Sequence, residues 1–307
     1  MSSEPQESER FGFSRLREVE WSDYIQYRPI YKESFFRRIL DYHTQKSEAS
    51  LSLAHDVGAG HGIVAATLAK TFNRVVVSDP SEGYNEVARQ LLIGQCGWPE
   101  SKFRFLQEGA ERSSVETATV DLITACECLH WTSPAEAIDE FARQLKTGGT
   151  LAITYYVWPI IVGNERAEWL WTEVFKVFSK RPLGPLYHRA TQICSNGYES
   201  IAIPAEQWAN IKRVYVNASK GIESFKVPGT TREINVGSDE ERVWIYGDPD
   251  WSEEQGVDWL KKYSATWVPP PPELQLKHLW EELDLILKDA KVRIETPLVM
   301  IFATRRR

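Results

Sequence analysis

Three glycines and three acids carry the chemistry open to this chain. Gly58-Ala-Gly60-His-Gly62 follows a short apolar run, and Asp56 stands two residues ahead of the first glycine. Glycine lets the backbone turn tightly and approach a ligand with no Cβ in the way. The Gly-x-Gly-x-Gly spacing differs from the Gly-x-Gly-x-x-Gly of dinucleotide sites, which seats a pyrophosphate on a helix N-terminus. A carboxylate beside such a loop suits a cationic ligand better than a diphosphate. The second acid, Asp79, ends the next β-branched run, seventeen residues after Gly62. Its two oxygens match a vicinal diol such as that of a ribose, and the same side chain can cap a helix starting at Pro80-Ser81. The third acid closes Glu108-Gly109-Ala110-Glu111, where it meets an adenine edge or simply sits in a surface turn.

His130 is the one histidine placed to take a proton. It lies with Trp131 just past Cys126-Glu127-Cys128, and its ordinary pKa near 6.5 suits that role. The alternative is that His130-Trp131 only walls a pocket. His55 and His61 read as structural, and no His or Cys spacing suggests a metal site. The chain holds 12 Trp, 12 Tyr and 12 Phe, much amphipathic surface for lining a pocket. Trp131, Tyr155, Tyr156 and Trp158 are candidates for an acceptor pocket, as are Trp169 and Trp171, although simple core is the competing role for each.

Strands alternating with helices position these residues. Residues 51–57 read as a strand ending in the glycine loop, and helix 63–71 follows. Strand 74–79, helix 82–93 and strands 103–107 and 120–125 come next. Helix 134–145, the turn Lys146-Thr-Gly-Gly149 and strand 150–156 complete the alternation. This pattern implies a parallel sheet with right-handed crossovers, hence an open α/β sandwich. Ligands bind such sheets at the carboxyl ends of the strands, where strand order reverses. Ahead of this core, residues 13–42 read as two short helices meeting at Arg28-Pro29, because proline disfavours helix before it and fits a first turn. Residues 1–12 read as a disordered tail. Beyond Tyr156 the alternation stops. Helices are predicted at 165–178, 253–263 and 273–288, strands at 211–216 and 297–304, and an irregular glycine-containing section lies between. The expected organisation is one α/β domain at 13–307. It comprises a helical cover (13–45), a core (51–156), a lid and acceptor region (157–258) and closing elements (259–307).

Composition excludes several classes of function. The 43 acids outnumber the 36 Lys and Arg, for a net charge of −7, which argues against nucleic acid as a partner. Four cysteines are far below a disulfide scaffold and point to a reducing compartment. The first ten residues carry no apolar signal segment, and the longest apolar run, 151–162, falls short of the roughly 17 to 25 residues of a membrane span. A cytoplasmic protein with no membrane partner is expected; its oligomeric state is not legible.

Taken in order, these motifs resemble the class I S-adenosylmethionine-dependent methyltransferases, in the branch that includes trans-aconitate methyltransferase and its fungal type 11 relatives. Tyr24-x-x-Tyr27-Arg28-Pro29-x-Tyr31 looks like that branch's N-terminal segment over the cofactor. Residues 120–131, ending in His130-Trp131, look like its fourth strand, and Leu145-Lys-Thr-Gly148-Gly149 like its Leu-Lys-Pro-Gly-Gly turn, with Thr147 in place of proline. The resemblance covers about residues 20–156 and, thinly, 259–263 and the last strand. It implies an open, mostly parallel, seven-stranded Rossmann-like sheet with helices on both faces, and S-adenosyl-L-methionine as cofactor. Tyr27 and Arg28 would cover that cofactor, Asp56, Gly58 and Gly60 would contact its methionine part, and Asp79 would bind the ribose. Ala110 and Glu111 would lie near adenine, with Cys126 and Glu127 facing the cofactor. The acceptor would be a small organic molecule, a carboxylate or a hydroxyl. Two other functions compete. A non-catalytic regulator could keep the glycine loop, and a nicotinamide-dependent oxidoreductase would need a glycine spacing the chain lacks.

Overall fold

The computed structural model describes residues 26–46, 49–181, 184–267 and 270–307. The expected tail and most of the first N-terminal helix, with Tyr24, lie outside them. Helical backbone at residues 26–27 gives way to an irregular stretch at 28–32 before helix α1, Glu33–Thr44. The break falls at Arg28-Pro29, where proline chemistry places it.

The core then runs β1 (Leu53–Val57), α2 (Ile63–Leu68), β2 (Arg74–Ser78), α3 (Glu82–Arg89), β3 (Phe103–Leu106) and β4 (Val120–Cys126). Helix α4 (Pro134–Gln144) and strand β5 (Leu145–Tyr156) follow. Ser81 Oγ caps α3 by accepting the Tyr84 N–H, and Pro134 occupies the first turn of α4. The turn expected at 146–149 is absorbed into β5. Its register shifts opposite Val120 and Leu122, and Gly148 takes φ +79°. A bulge therefore replaces a separate turn.

Further along come β6 (Ile160–Val162), α5 (Glu165–Ser179), α6 (Pro185–Cys194), β7 (Trp208–Val216), β8 (Glu241–Ile245) and β9 (Ser252–Gln255). The last elements are α7 (Val257–Ala265), α8 (Glu273–Leu287), β10 (Val292–Glu295) and β11 (Leu298–Arg305). The main sheet has eight strands, not seven, in the order β3-β2-β1-β4-β5-β11-β7-β8. Only β11 runs against its neighbours β5 and β7; every other pairing is parallel. The eighth strand is β8, inside the section expected to be irregular. It pairs from Lys212↔Glu241 to Val216↔Ile245. A second antiparallel sheet, β6-β10-β9, joins segments more than a hundred residues apart. It claims residues 253–255, which the sequence assigns to a helix. The region expected to be a lid is therefore divided, since β7 and β8 extend the main sheet while α5 and α6 stand over its carboxyl edge.

Alternate strand residues point to opposite faces, and two apolar layers result. Val75, Val77, Met300 and Phe302 pack with Phe35, Ile39, Leu68 and Ala88 on one side. Val76, Ile123, Ile153 and Ile301 pack with Phe141, Leu170, Leu260 and Leu283 on the other. The buried cation Arg213 on β7 holds the far end of this second layer. Its Nε donates to Glu240 Oε2 at 2.5 Å, and its terminal nitrogens donate to the carbonyls of Tyr198 and Ile201 at 2.9 and 2.7 Å. Both ions are cut off from solvent, at 0% and 2% side-chain exposure. Removing one strands the other, at a cost of about 3–5 kcal/mol. Arg213→Met is therefore expected to lose that much unfolding free energy in urea titration, and adding Glu240→Leu to recover most of it. An unchanged midpoint in the single variant would show that the pair contributes nothing.

Candidate active site

Strand order diverges between β1 and β4. From β1 the chain steps outward to β2 and β3, then returns past β1 to β4 and β5. The loops leaving these two strands separate and open a cleft at their carboxyl ends. Its walls include Asp56, Gly58, Gly60, Asp79, Ala110, Glu111, Cys126 and Glu127, together with Arg28 from the N-terminal segment. Nine positions expected to meet one cofactor thus face one crevice. Tyr27 does not. It packs against the core, and Lys262 Nζ lies 5.4 Å from the centre of its ring.

Each loop residue has a definable task. Gly58 and Gly60 hold left-handed φ values of +62° and +52°. A Cβ on Gly58 would stand 2.5 Å from Cys128 Cβ, so glycine is needed for the β1 and β4 loops to touch. A Cβ on Gly60 would meet nothing within 4 Å; that position opens toward the cleft. Asp56 sits behind the loop and is tied by protein donors, accepting from Thr124 Oγ1 at 2.8 Å and from the Ala65 N–H at 3.0 Å. Burial pushes its carboxyl up to about 7. Asp79 accepts the Gly60 N–H on one oxygen and the Ser81 N–H on the other, at 3.0 and 2.9 Å. Capping and diol binding are compatible, because each oxygen keeps a lone pair. Burial raises Asp79 to about 6. Glu111 accepts the Ser133 N–H at 2.8 Å. The open position at Gly60, the spare lone pairs of Asp79 and the acids around them fit a nucleoside carrying a sulfonium cation.

A second cavity of about 420 Å³ adjoins the cleft, within the range of small-molecule pockets. The two share Arg28, Glu127, Trp131 and Tyr156 as common wall. Tyr155, Trp158 and His130 line this cavity. Trp169 and Trp171 do not. Trp169 is 47% exposed beneath Arg166, and Trp171 is buried with its indole N–H on the Pro159 carbonyl. His130 Nδ1 lies 2.7 Å from the Tyr198 hydroxyl. Burial drives the imidazole down to about 3, so it is neutral at physiological pH and a weak base.

Other lining residues escaped the sequence reading. Tyr31 and Tyr84 border the cleft, and Phe175, Phe178, Tyr187 and Trp267 border the cavity. At helical spacing, pocket aromatics and core aromatics look alike. Tyr198, which lines neither space but holds His130, left a better trace. It follows Asn196-Gly197 in a run of three left-handed residues, with φ of +58°, +63° and +61°, and an Asn-Gly pair marks such a turn. Among the described residues no group of three His, Cys, Asp or Glu could hold a metal ion, and no helix is long and apolar enough to cross a membrane.

Fold and site together define a doubly wound α/β protein with a glycine-loop cleft adjoining a second, aromatic-lined cavity. A "Methyltransferase domain" family model matches residues 55–153, from β1 into β5. Over 305 residues the chain is 30% identical to "Methyltransferase cfoB" of Aspergillus candidus, covering 93% of this chain and 94% of that one. It is 29% identical to "Methyltransferase ptaI" of Pestalotiopsis fici, covering 93% of each. A type II methyltransferase structure from Anaeromyxobacter dehalogenans shares the fold, with a TM-score of 0.62, 17% identity, and coverage of 90% of this chain and 97% of that one. The chain belongs to the S-adenosylmethionine-dependent methyltransferases.

The geometry has two consequences for binding. Gly60→Val places a branched side chain in the open part of the cleft. It is expected to abolish calorimetric binding of S-adenosylhomocysteine while leaving the circular dichroism spectrum intact; unchanged affinity would remove the loop from the site. The second consequence concerns pH. Asp79, Asp56 and Glu127 titrate at about 6, 7 and 8, and each must lose its proton before it can attract a cation. Affinity for the sulfonium cofactor is therefore expected to rise as pH climbs through this window, and more steeply than affinity for neutral S-adenosylhomocysteine. Parallel slopes for the two ligands would show that these acids do not sense the sulfonium.

Proposed function

We propose that this methyltransferase transfers the methyl group to a hydroxyl of a small aromatic acceptor. The observation carrying this reading is the cavity beside the cleft. It is walled by Tyr155, Trp158, Phe175, Tyr187 and Trp267, and it shares the carboxylate of Glu127 with the cleft. Flat rings stack on such walls, and a buried acid repels a second carboxylate while accepting a hydroxyl. Methyl transfer from a sulfonium is an in-line displacement, so the protein's part is to align the reactants and exclude water. Among the expected site residues, Asp79 is assigned to the ribose, the glycine loop to the methionine part and Glu111 to the adenine side. His130 forms pocket wall, held by Tyr198. All four cysteines are free thiols, in keeping with a cytoplasmic setting.

One observation favours a carboxylate acceptor of the trans-aconitate kind. Arg28 borders both spaces, and a guanidinium there could pair with an acid. The two readings part in a screen of p-cresol, 4-nitrophenol, hydroxybenzoates and naphthols against trans-aconitate, reading S-adenosylhomocysteine release and product mass. Hydroxylated aromatics gaining one methyl on oxygen is the expected result. Turnover of trans-aconitate alone would overturn the hydroxyl reading, and cofactor binding without turnover of any acceptor would favour a regulator.

A further inference from the structure

Glu127 is held in a way that its neighbours are not. β4 ends at Cys126, and the next residue adopts φ +56°. The left-handed region costs a residue with a Cβ about 1–2 kcal/mol, a cost glycine would avoid. This turn leaves the carboxylate in the wall that the cleft and the acceptor cavity share. Oε1 accepts the Tyr156 N–H at 2.5 Å, which fixes the side chain against the end of β5. A strained residue with one oxygen anchored to the end of β5, set between two ligand spaces, is arranged for chemistry.

We propose that Glu127 is the base that takes the proton of the acceptor hydroxyl during methyl transfer. The inference rests on the hydroxyl reading above. As the acceptor oxygen forms its bond to the methyl carbon, the carbon–sulfur bond breaks and its electron pair stays on sulfur. The hydroxyl proton passes to Oε2. The sulfonium charge and the carboxylate charge disappear in the same step, so a poorly solvated site is left with no uncompensated product charge. The proton returns to water when the products leave.

His130, which the sequence offers as either a base or pocket wall, is less suited. Burial leaves it too weak to draw a proton from a hydroxyl, whereas Glu127 is pushed up to about 8 by the same physics, only partly offset by Arg28. A base works best with a pKa near the operating pH. The groups around Glu127 do not compete for the proton. Burial holds the thiols of Cys126, Cys128 and Cys194 and the phenols of Tyr155 and Tyr198 in their neutral forms, and Arg28 is a permanent cation.

Glu127→Gln tests this, because the amide oxygen can still accept the Tyr156 N–H. Infrared difference titration of the wild type should show a protonated carboxyl band that fades as pH rises through about 8 and is missing in the variant. S-adenosylhomocysteine affinity should change by less than about threefold, since that ligand carries no sulfonium. The kcat on p-cresol, whose hydroxyl titrates near that of tyrosine at about 10, should fall by about 10²–10⁴-fold. On 4-nitrophenol, already ionised at the assay pH, it should fall by less than about tenfold. Equal losses on the two phenols, an unchanged kcat on p-cresol, or a Glu127 carboxyl that titrates near 4 would each overturn the assignment. Failure of the wild type to methylate any phenol would instead overturn the hydroxyl reading, and this inference with it.

Discussion

One buried carboxylate ties the site to the fold. Asp56 leaves the end of β1, takes the Thr124 hydroxyl of β4 on one oxygen, and takes the Ala65 N–H of α2 on the other. It therefore joins the two strands between which the sheet order diverges to the helix that follows the glycine loop. The first N–H groups of a helix have no partner within it, and in α2 a buried acid supplies one. That acid adds a buried tie to β4 beside the hydrogen bond from Cys128 Sγ–H to the Val57 carbonyl and the close packing of Gly58 on Cys128. The cleft's shape follows from this contact more than from any residue that faces the ligand.

The same end of the sheet concentrates buried negative charge. Asp56, Asp79 and Glu127 all titrate well above ordinary carboxyls, and in each case burial is the largest cause. Hydrogen bonds from Ala65, Gly60, Ser81 and Tyr156 offset part of that cost without cancelling it. Desolvated acids whose partners are mainly backbone and hydroxyl donors, with Arg28 near Glu127, favour a cation. A dinucleotide, with its two phosphates, would meet repulsion here. The glycine spacing and the electrostatics thus exclude the oxidoreductase on separate grounds.

The core was legible because its signals are local. β1 to β5 and their helices are short periodic runs bounded by glycine and proline, and the acids of the site fall at the ends of those runs. Past Tyr156 the determinants are pairings between distant segments. β10 joins β6 and β9, and β11 must run between β5 and β7. Strand β8, Glu-Arg-Val-Trp-Ile, carries too little apolar alternation to stand out; its partner β7 and the Asn217 N–H on the Ile245 carbonyl hold it in place. Residues 253–255 became strand because β10 offered unpaired backbone, which outweighs helical spacing. Tyr27 and the tryptophans failed for a related reason. Sequence spacing tells which residues share an element but not which side of a pocket wall they occupy.

The division of labour across Tyr156 also accounts for the chain's relation to its relatives. The family model ends within β5, near the carboxyl end of the strand where the cleft gives way to the cavity. Most of the cleft is built before that point, and its geometry is set by backbone turns and a few acids. The far wall of the cavity comes from α5, α6, α7 and the 227–230 segment, which are docked by apolar contacts. Such packing tolerates exchange of one aromatic or aliphatic side chain for another of similar volume. Glu127 lies at the seam. It belongs to the β4 loop by sequence and lines both the cleft and the cavity, so its backbone turn is set on the β4–β5 side while its side chain borders the space beneath the helices. If Glu127 is the base as proposed, a change of acceptor would require new side chains on the helices and no change in the β4 loop.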